Sequence, residues 1–585
     1  MTYLRKIFYI LGNSYNKKIA LLIILILIAT ILEVLGIAAI IPVVKLVISS
    51  EEFFSSDFVQ NNTFITEKLK YFSHREIIIY ISAFIFLFFT FKTIVLSYLV
   101  WRQGKFSGEV MLDISQKLFK IYMYSPYNFH LKKNSFQLIH NISSEVNLLA
   151  SSVIIPMITL ITETVVFVAI LFLLLNIETK LILSLGGFIF IIYLAYFMIT
   201  KNRLYKWGHL RQEHDSLRLK NLQQGFGGIR EIKLLGIESY FSKQFNFHTQ
   251  VIKEAGIKVN FVSLFPRIAM EYIAIIAIFV IVFISMVRGV DNKDLIPLLA
   301  LFTAATFRMM PSANRILSCL QSLKSNSPVI ERIYYEFKNK KNEDSIPLQQ
   351  SHFNFKNLLE FKNVYFAHEG TKNILENISF KIKKGQSLGI FGPSGSGKTT
   401  LVDLILGLID PTSGTIKIDQ NNVKLFKRAW QKKIGHVPQS IYLLDDTLRN
   451  NIAIGVANDK INEEKIQKCL DSANLRNYIN DLPDGLNTNV GERGVKISGG
   501  QLQRVGIARS LYNNPEIIIL DEATSSLDME NEIKIINEVN KLKASKTIIF
   551  ISHRLQAIKN CDLIMKLDKG KIINFGKPSE VLNEK

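Results

Sequence analysis

Cysteine is scarce in this chain: three in 585 residues, Cys319, Cys469 and Cys561. Three scattered thiols cannot build a disulfide framework or a zinc cluster, and they read as ordinary reduced residues. Acid is also short, with 49 Asp and Glu against 70 Lys and Arg, a formal net charge of +21. Polarity is short as well. A hydrophobic fraction of 48% and a mean hydropathy of +0.21 exclude a highly charged disordered chain. A length several times the ~150 residues of a typical domain argues against one compact unit. A chain that is both apolar and basic is either a membrane protein with basic loops on one side or a protein with an anionic partner. The placement of the apolar residues decides between them.

Those residues concentrate in runs at about 19–48, 77–100, 146–175, 179–200, 263–288 and 294–320, each near or above the ~20 residues that carry a helix across a bilayer. Six spans fit. The first follows Arg5, Lys6, Lys17 and Lys18, but it is too long for a cleaved signal and shows no convincing cleavage site, so it reads as a retained helix. Segments 1–18, 101–145 and 201–262 carry 21 Lys and Arg, and segments 49–76, 176–180 and 288–294 carry six. Because basic segments resist translocation, this bias puts both termini in the cytosol. The long inner loops are dense in helix formers, so the membrane helices are expected to continue into the cytosol. In the outer loop 49–76, Ile65, Leu69 and Phe72 share a helical face, which fits a helix on the outer membrane surface or one packed on its own domain.

After about residue 330 the apolar spans stop. The polar stretch 338–354 reads as a linker, and beyond it strand-like runs alternate with helical patterns, as in a soluble α/β domain. There, 387–391 (SLGIF) is followed by 392–400 (GPSGSGKTT) and then by a helical pattern. Gly392, Gly395 and Gly397 let the backbone curl its N–H groups toward phosphate oxygens at a helix N-terminus. Lys398 is expected to reach the β and γ phosphates and Thr399 to offer its hydroxyl to Mg²⁺. Further on, 516–520 (EIIIL) ends in Asp521 and Glu522. The first carboxylate suits the Mg²⁺ shell, and the second suits a general base for the attacking water.

Between these motifs lies 496–504 (KISGGQLQR), which resembles the signature loop of the ATP-binding cassette (ABC) proteins. The other family elements follow in order: Gln439 in the Q-loop, 490–494 (VGERG) as the exporter X-loop, 525–528 (SSLD) as the D-loop and His553 as the switch histidine. The resemblance implies an all-α six-helix transmembrane domain of the type IV ABC exporter kind (1–330), a linker (331–354) and an α/β P-loop nucleotide-binding domain (355–585). It implies ATP and Mg²⁺ as cofactors, and a second identical chain as partner. ATP would be held by Gly392, Ser394, Gly395, Gly397, Lys398, Thr399 and Thr400 of one copy and by Ser498, Gly499, Gly500 and Gln501 of the other. Gln439 would sense Mg²⁺, which Thr399 and Asp521 would also hold, and Glu522 and His553 would be catalytic. Two departures are Ile497, where the family has Leu, and His368, where the family stacks a Tyr on adenine. Segments 125–136 and 224–235 lie where such exporters place their coupling helices.

Lys92, Arg267, Arg308 and Arg315 fall inside the spans, where an ionised residue costs about 2.5–3.5 kcal/mol. At ~1.5 Å per residue, Arg308 lies about 21 Å and Arg315 about 31 Å from the outer end of the last span. Arg315 and Arg267 can snorkel to headgroups, and Arg267 can pair with Glu271 one turn on. Together the four form a candidate cavity for an anionic cargo head, which the planar arginine fork suits. Residues 265–271 (FPRIAME), 307–316 (FRMMPSANRI) and Glu33 before an apolar stretch ending in IIPVV are similar to the bacterial flippases of lipid-linked oligosaccharides. That resemblance implies translocation of a polyprenyl-pyrophosphate glycan, or a similar anionic glycolipid, across the inner membrane. The alternatives are a multidrug, lipid or peptide exporter, or an ATP-gated channel. The six spans exclude a soluble cassette acting on nucleic acid.

Overall fold

The structure, a computed structural model, describes residues 3–39, 74–175, 179–287, 292–340, 354–368, 370, 372–523, 529–543 and 545–582. The chain divides into two compact units, one of Met1–Ser125 with Lys132–Ser345 and one of Pro126–Leu131 with Ile346–Lys585.

The first unit is helical across its described residues. Its principal helices are α1 (Tyr3–Leu11), α2 (Asn16–Ala38), α3 (His74–Tyr124), α4 (Ile155–Leu175), α5 (Thr179–Gly227), α6 (Glu238–Val287), α7 (Asn292–Ser325) and α8 (Ser327–Lys340). Helices α2 to α7 each carry part of one of the six apolar runs, of which residues 40–48 and 288 lie outside the described residues and 146–154 precede α4. Among the described residues Asn13–Gly36, Ile79–Tyr124 and Ser135–Leu173 are long and apolar enough to cross a membrane. With 51, 49 and 50 residues, α3, α5 and α6 each run about 75 Å, more than twice the ~30 Å hydrocarbon core. Each therefore continues well beyond a bilayer, as expected. The apolar part of α3 turns Phe84, Phe86 and Leu87 outward at 70%, 71% and 65% exposure, an arrangement that water penalises and lipid does not. Farther along the same helix Val110, Ile114 and Leu118 are buried.

A charged knot ties the polar halves together. Glu145, fully buried at the end of the π-turn Asn141–Glu145, accepts a hydrogen bond from Gln212 Nε2 on α5 at 2.8 Å. It also faces Arg332 of α8 at 3.6 Å and His140 at 3.5 Å. His140 meets Asp215 at 3.1 Å, and Asp215 takes Arg218 at 2.6 Å. Buried charges persist only when paired in this way.

Helix α8 corrects the expected linker, because residues 331–340 are helical. Val329, Ile330, Ile333 and Tyr334 recur at helical spacing and are buried, which gives the segment an apolar face despite its charges. The expected coupling segments contain short helices at Tyr127–Lys132 and Ile229–Leu235. Of the outer loop 49–76, residues 49–73 lie outside the described residues.

The second unit is built on two sheets. β1 (Leu358–Phe366), β2 (Leu375–Lys383), β4 (Ser413–Ile418) and β5 (Asn421–Asn422) form an antiparallel sheet in the order β2-β1-β4-β5. β3 (Ser387–Phe391), β6 (Ile434–Val437), β7 (Ile517–Asp521), β8 (Thr547–Ile551), β9 (Leu563–Asp568) and β10 (Lys571–Gly576) form the other, in the order β10-β9-β3-β8-β7-β6. From β9 to β6 the pairing is parallel, and parallel strands are covered on both faces. Accordingly every residue of β8, and Ile517 to Leu520 of β7, is buried. Helices α9 (Lys398–Ile405), α10 (Gly499–Tyr512) and α11 (Met529–Lys541) belong to this unit. Trp430 lies fully buried in its core, with Nε1 donating to the Ile405 carbonyl at 2.7 Å.

Candidate functional site

Strand register assembles the site. Ile390 pairs with Ile551, Ile551 with Asp521, and Leu520 with Val437. The loops after β3, β8, β7 and β6 therefore leave the same carboxyl edge of the parallel sheet, the edge where such sheets bind ligands. They carry, respectively, the glycine loop, His553, Glu522 and Gln439.

In the glycine loop, Gly392 and Gly397 have φ of 159° and 99°. A Cβ on Gly392 would stand 2.0 Å from the Leu567 carbonyl oxygen, so the close approach itself demands glycine. Gly397 caps α9 without a side-chain hydrogen bond, which leaves the first-turn N–H groups available to phosphate. Lys398 is buried and donates to the carbonyls of Gly392 and Pro393, both at 2.9 Å. Burial draws its pKa down, against the opposing charges of Glu522 and Asp521. Ser394 and Thr399 are exposed, and Thr400 is half-buried.

Glu522 is the meeting point. Its Oε2 accepts from Gln439 Nε2 at 2.7 Å, and its Oε1 lies 2.8 Å from His553 Nε2. Its backbone sits at φ 50°, a left-handed conformation that costs a residue with a Cβ about 1–3 kcal/mol and recurs at functional sites. Asp521, beside it, has its pKa raised, first by burial and then by Glu522, with Lys398 opposing. Two adjacent carboxylates, of which Asp521 has the elevated proton affinity, fit a divalent cation. The residues expected from the sequence to hold one are Asp521, Thr399 and Gln439.

Two nearby groups stand out only in three dimensions. The Asp403 carboxyl on α9 is pushed up to about 6 by burial and by the charge of Asp521, with His368 opposing. Ser396 is buried, and its Oγ has no hydrogen-bond partner among the described residues. A lone acid inside the apolar run 401–406 (LVDLIL) was the available signal for Asp403.

His368 is exposed, with Phe366 packed edge-on at 5.1 Å. Phe366 is buried and cannot take over stacking on a base. In the signature loop, Ser498 caps α10. Its Oγ accepts the Gln501 N–H at 3.4 Å, and Gln501 Oε1 accepts the Ser498 N–H at 3.1 Å. Gln501 is thus engaged in a capping box. The N–H groups of Gly499 and Gly500 head the helix, with Gly499 exposed. The D-loop 525–528 lies outside the described residues.

Three of the four span cations have acidic partners. Lys92 pairs with Glu33 at 2.8 Å, both nearly buried. Arg267 pairs with Glu271 at 3.3 Å and stays exposed. Arg315 meets Glu163 of α4 at 2.5 Å. A charge in a low-dielectric span gains most from a counter-charge, and partners distant in sequence supply two of the three. The Arg308 side chain lies outside the described residues.

Residues 375–525 match the ABC transporter family, and residues 18–309 match the ABC transporter transmembrane region. The chain belongs to the ABC transporters. An ATP-dependent lipid A-core flippase of Cupriavidus pinatubonensis is 30% identical over 484 residues, 81% of each chain. One of Wigglesworthia glossinidia brevipalpis is 30% identical over 82% of each chain. A bacterial Atm1-family ABC exporter with ATP bound has the same fold, with a TM-score of 0.78, 21% identity and coverage of 98% of this chain and 97% of that one. This ABC transporter therefore joins a helical transmembrane domain to a sheet-containing nucleotide-binding domain, in the fold of an ABC exporter.

Proposed function

We propose that this transporter hydrolyses ATP to flip an anionic glycolipid, of the polyprenyl-pyrophosphate-linked glycan class, from the inner to the outer leaflet of the cytoplasmic membrane. It acts as a homodimer with both termini cytosolic. The observation that carries the ATPase half is the convergence of Gln439 and His553 on Glu522. Lys398 and the N-terminus of α9 neutralise the phosphates. Thr399, Gln439 and Asp521 would hold a Mg²⁺, which would supply further positive charge to the phosphates. Glu522 accepts the proton of the attacking water once one of its oxygens is released by Gln439 or His553, and His553 contacts the γ-phosphate. Ser498, Gly499 and Gly500 of the second copy close on the nucleotide, with the Gln501 side chain holding the cap.

For the cargo, support comes from the half-exposed guanidinium of Arg315 in the last span, from Arg267 and Arg308, and from relatives named for a glycolipid. The Lys92–Glu33 pair favours a second reading, an exporter of amphipathic drugs or lipids, because it leaves that level of the spans neutral. ATPase assays in proteoliposomes separate the two. Stimulation by polyprenyl-pyrophosphate glycans supports the flippase. Stimulation by amphipathic drugs, lipid A or peptides in its place overturns it.

A further inference from the structure

The Arg315–Glu163 pair is built asymmetrically. Glu163 is 8% exposed and Arg315 is 57% exposed. Nη1 donates to Oε1 at 2.5 Å, and the other carboxylate oxygen, Oε2, is buried with no hydrogen-bond partner among the described residues. A pair serving stability alone gains most as a bidentate fork buried on both sides. Here one contact anchors the arginine from behind, and the rest of its five-donor fork faces outward.

The backbone beneath Arg315 is pinned independently. Asn314 Oδ1 accepts from Tyr193 of α5 at 2.7 Å, Gln321 donates to the Val262 carbonyl of α6 at 3.3 Å, and Ser322 donates to the Ser152 carbonyl at 2.9 Å. Three neighbouring segments fix where α7 sits, so Glu163 is not needed to hold the helix. What it sets is the direction of a long, flexible side chain.

We propose that Glu163 is a positioning residue that holds the Arg315 guanidinium with its remaining donors presented to two oxygens of the cargo's pyrophosphate. The inference rests on the proposed flippase reading. It adds a specificity device to that reading: the planar fork, aimed in advance, favours a pyrophosphate over a monophosphate and gives no response to an uncharged polyprenol.

The test uses the full-length protein in proteoliposomes, with ATPase stimulation read against polyprenyl pyrophosphate, polyprenyl monophosphate and polyprenol. With E163Q the half-stimulating concentration of the pyrophosphate lipid rises on the order of tenfold, while the maximal stimulated rate stays within about twofold, a loss of pre-organised binding. E163D restores most of the affinity. The charge swap E163R/R315E keeps an ion pair yet loses the pyrophosphate response. Superimposable E163Q and wild-type curves, or a charge swap responding like wild type, overturn the inference while the flippase reading stands. A wild-type protein that no phosphate-bearing lipid stimulates overturns both. If E163Q fails to assemble, R315K carries the decision. Loss of the preference for pyrophosphate over monophosphate supports the aimed fork, and an unchanged preference overturns it.

Discussion

Nε2 of His553 lies 2.8 Å from Oε1 of Glu522, although 31 residues separate the two in sequence. Parallel pairing of β7 with β8 brings them together, because Asp521 and Ile551 are opposite each other and the next residues leave the sheet side by side. With the Gln439 amide on Oε2, both oxygens of the carboxylate are engaged. Replacing Glu522 with Gln keeps the shape and removes the base. Hydrolysis is expected to fall by about 10²–10⁴-fold, measured as phosphate release, while retained ATP is detected as a trapped nucleotide.

His368 tests base recognition. Aromatic stacking on a base is worth about 1–3 kcal/mol, so His368→Ala is expected to raise the KM for ATP on the order of tenfold, and His368→Tyr to lower it. Comparing KM for ATP and GTP in each variant reads out purine selectivity. An unchanged KM in the alanine variant rejects a stacking role.

Asp403 sets a pH dependence. Its carboxyl rises from the ordinary 3.8 to about 6 in the folded protein, so the folded state binds the proton more tightly than the unfolded state does. The sign is therefore a penalty, absent below about 3.8, growing through the interval and fully present above about 6. Asp403→Asn removes it. The variant's melting temperature should exceed that of the parent at pH 7, and the gap should close as the pH approaches 4. A gap independent of pH excludes the assignment.

Arg308 is deeper in the span than Arg315 and is proposed to share the cargo head. Arg308→Ala is expected to abolish flipping of a fluorescent polyprenyl-pyrophosphate glycan, and Arg308→Lys to leave a partial rate, because charge survives and the fork does not. Unchanged translocation in Arg308→Ala removes this residue from the cavity.

Gly392 has no tolerance for a side chain. With the Leu567 carbonyl oxygen 2.0 Å from where a Cβ would stand, Gly392→Ala must shift either the phosphate loop or β9. Nucleotide binding measured by filter retention is expected to fall at least tenfold, in line with a misplaced cradle.

The nucleotide site was legible in the sequence because its parts are local. A glycine loop, a strand ending in acids and a histidine after another strand each announce themselves within ten residues. The long apolar helices were legible for a similar reason, since length and apolarity are counted along the chain. What escaped depends on pairing across distance. Glu163 is 152 residues from Arg315, and only the packing of α4 on α7 joins them. The polar face of α8 dominates its composition, so residues 331–340 read as linker, whereas the buried face is a stripe of four residues. The left-handed backbone at Glu522 has no signature in its residue type, and the raised proton affinity of Asp403 comes first from burial, which the apolar run around it records only in part.

The reach of α3, α5 and α6 has a mechanical consequence. A straight rod of about 75 Å with about 30 Å in hydrocarbon leaves on the order of 45 Å as an arm. Tilting such an arm by about 0.1 radian about the bilayer edge moves its tip by roughly 4–5 Å, yet a point 10 Å inside the bilayer moves by only about 1 Å, by the same helix geometry. Pivoted in this way, such a helix would act as a reduction gear, converting a long stroke at one end into a short one at the other.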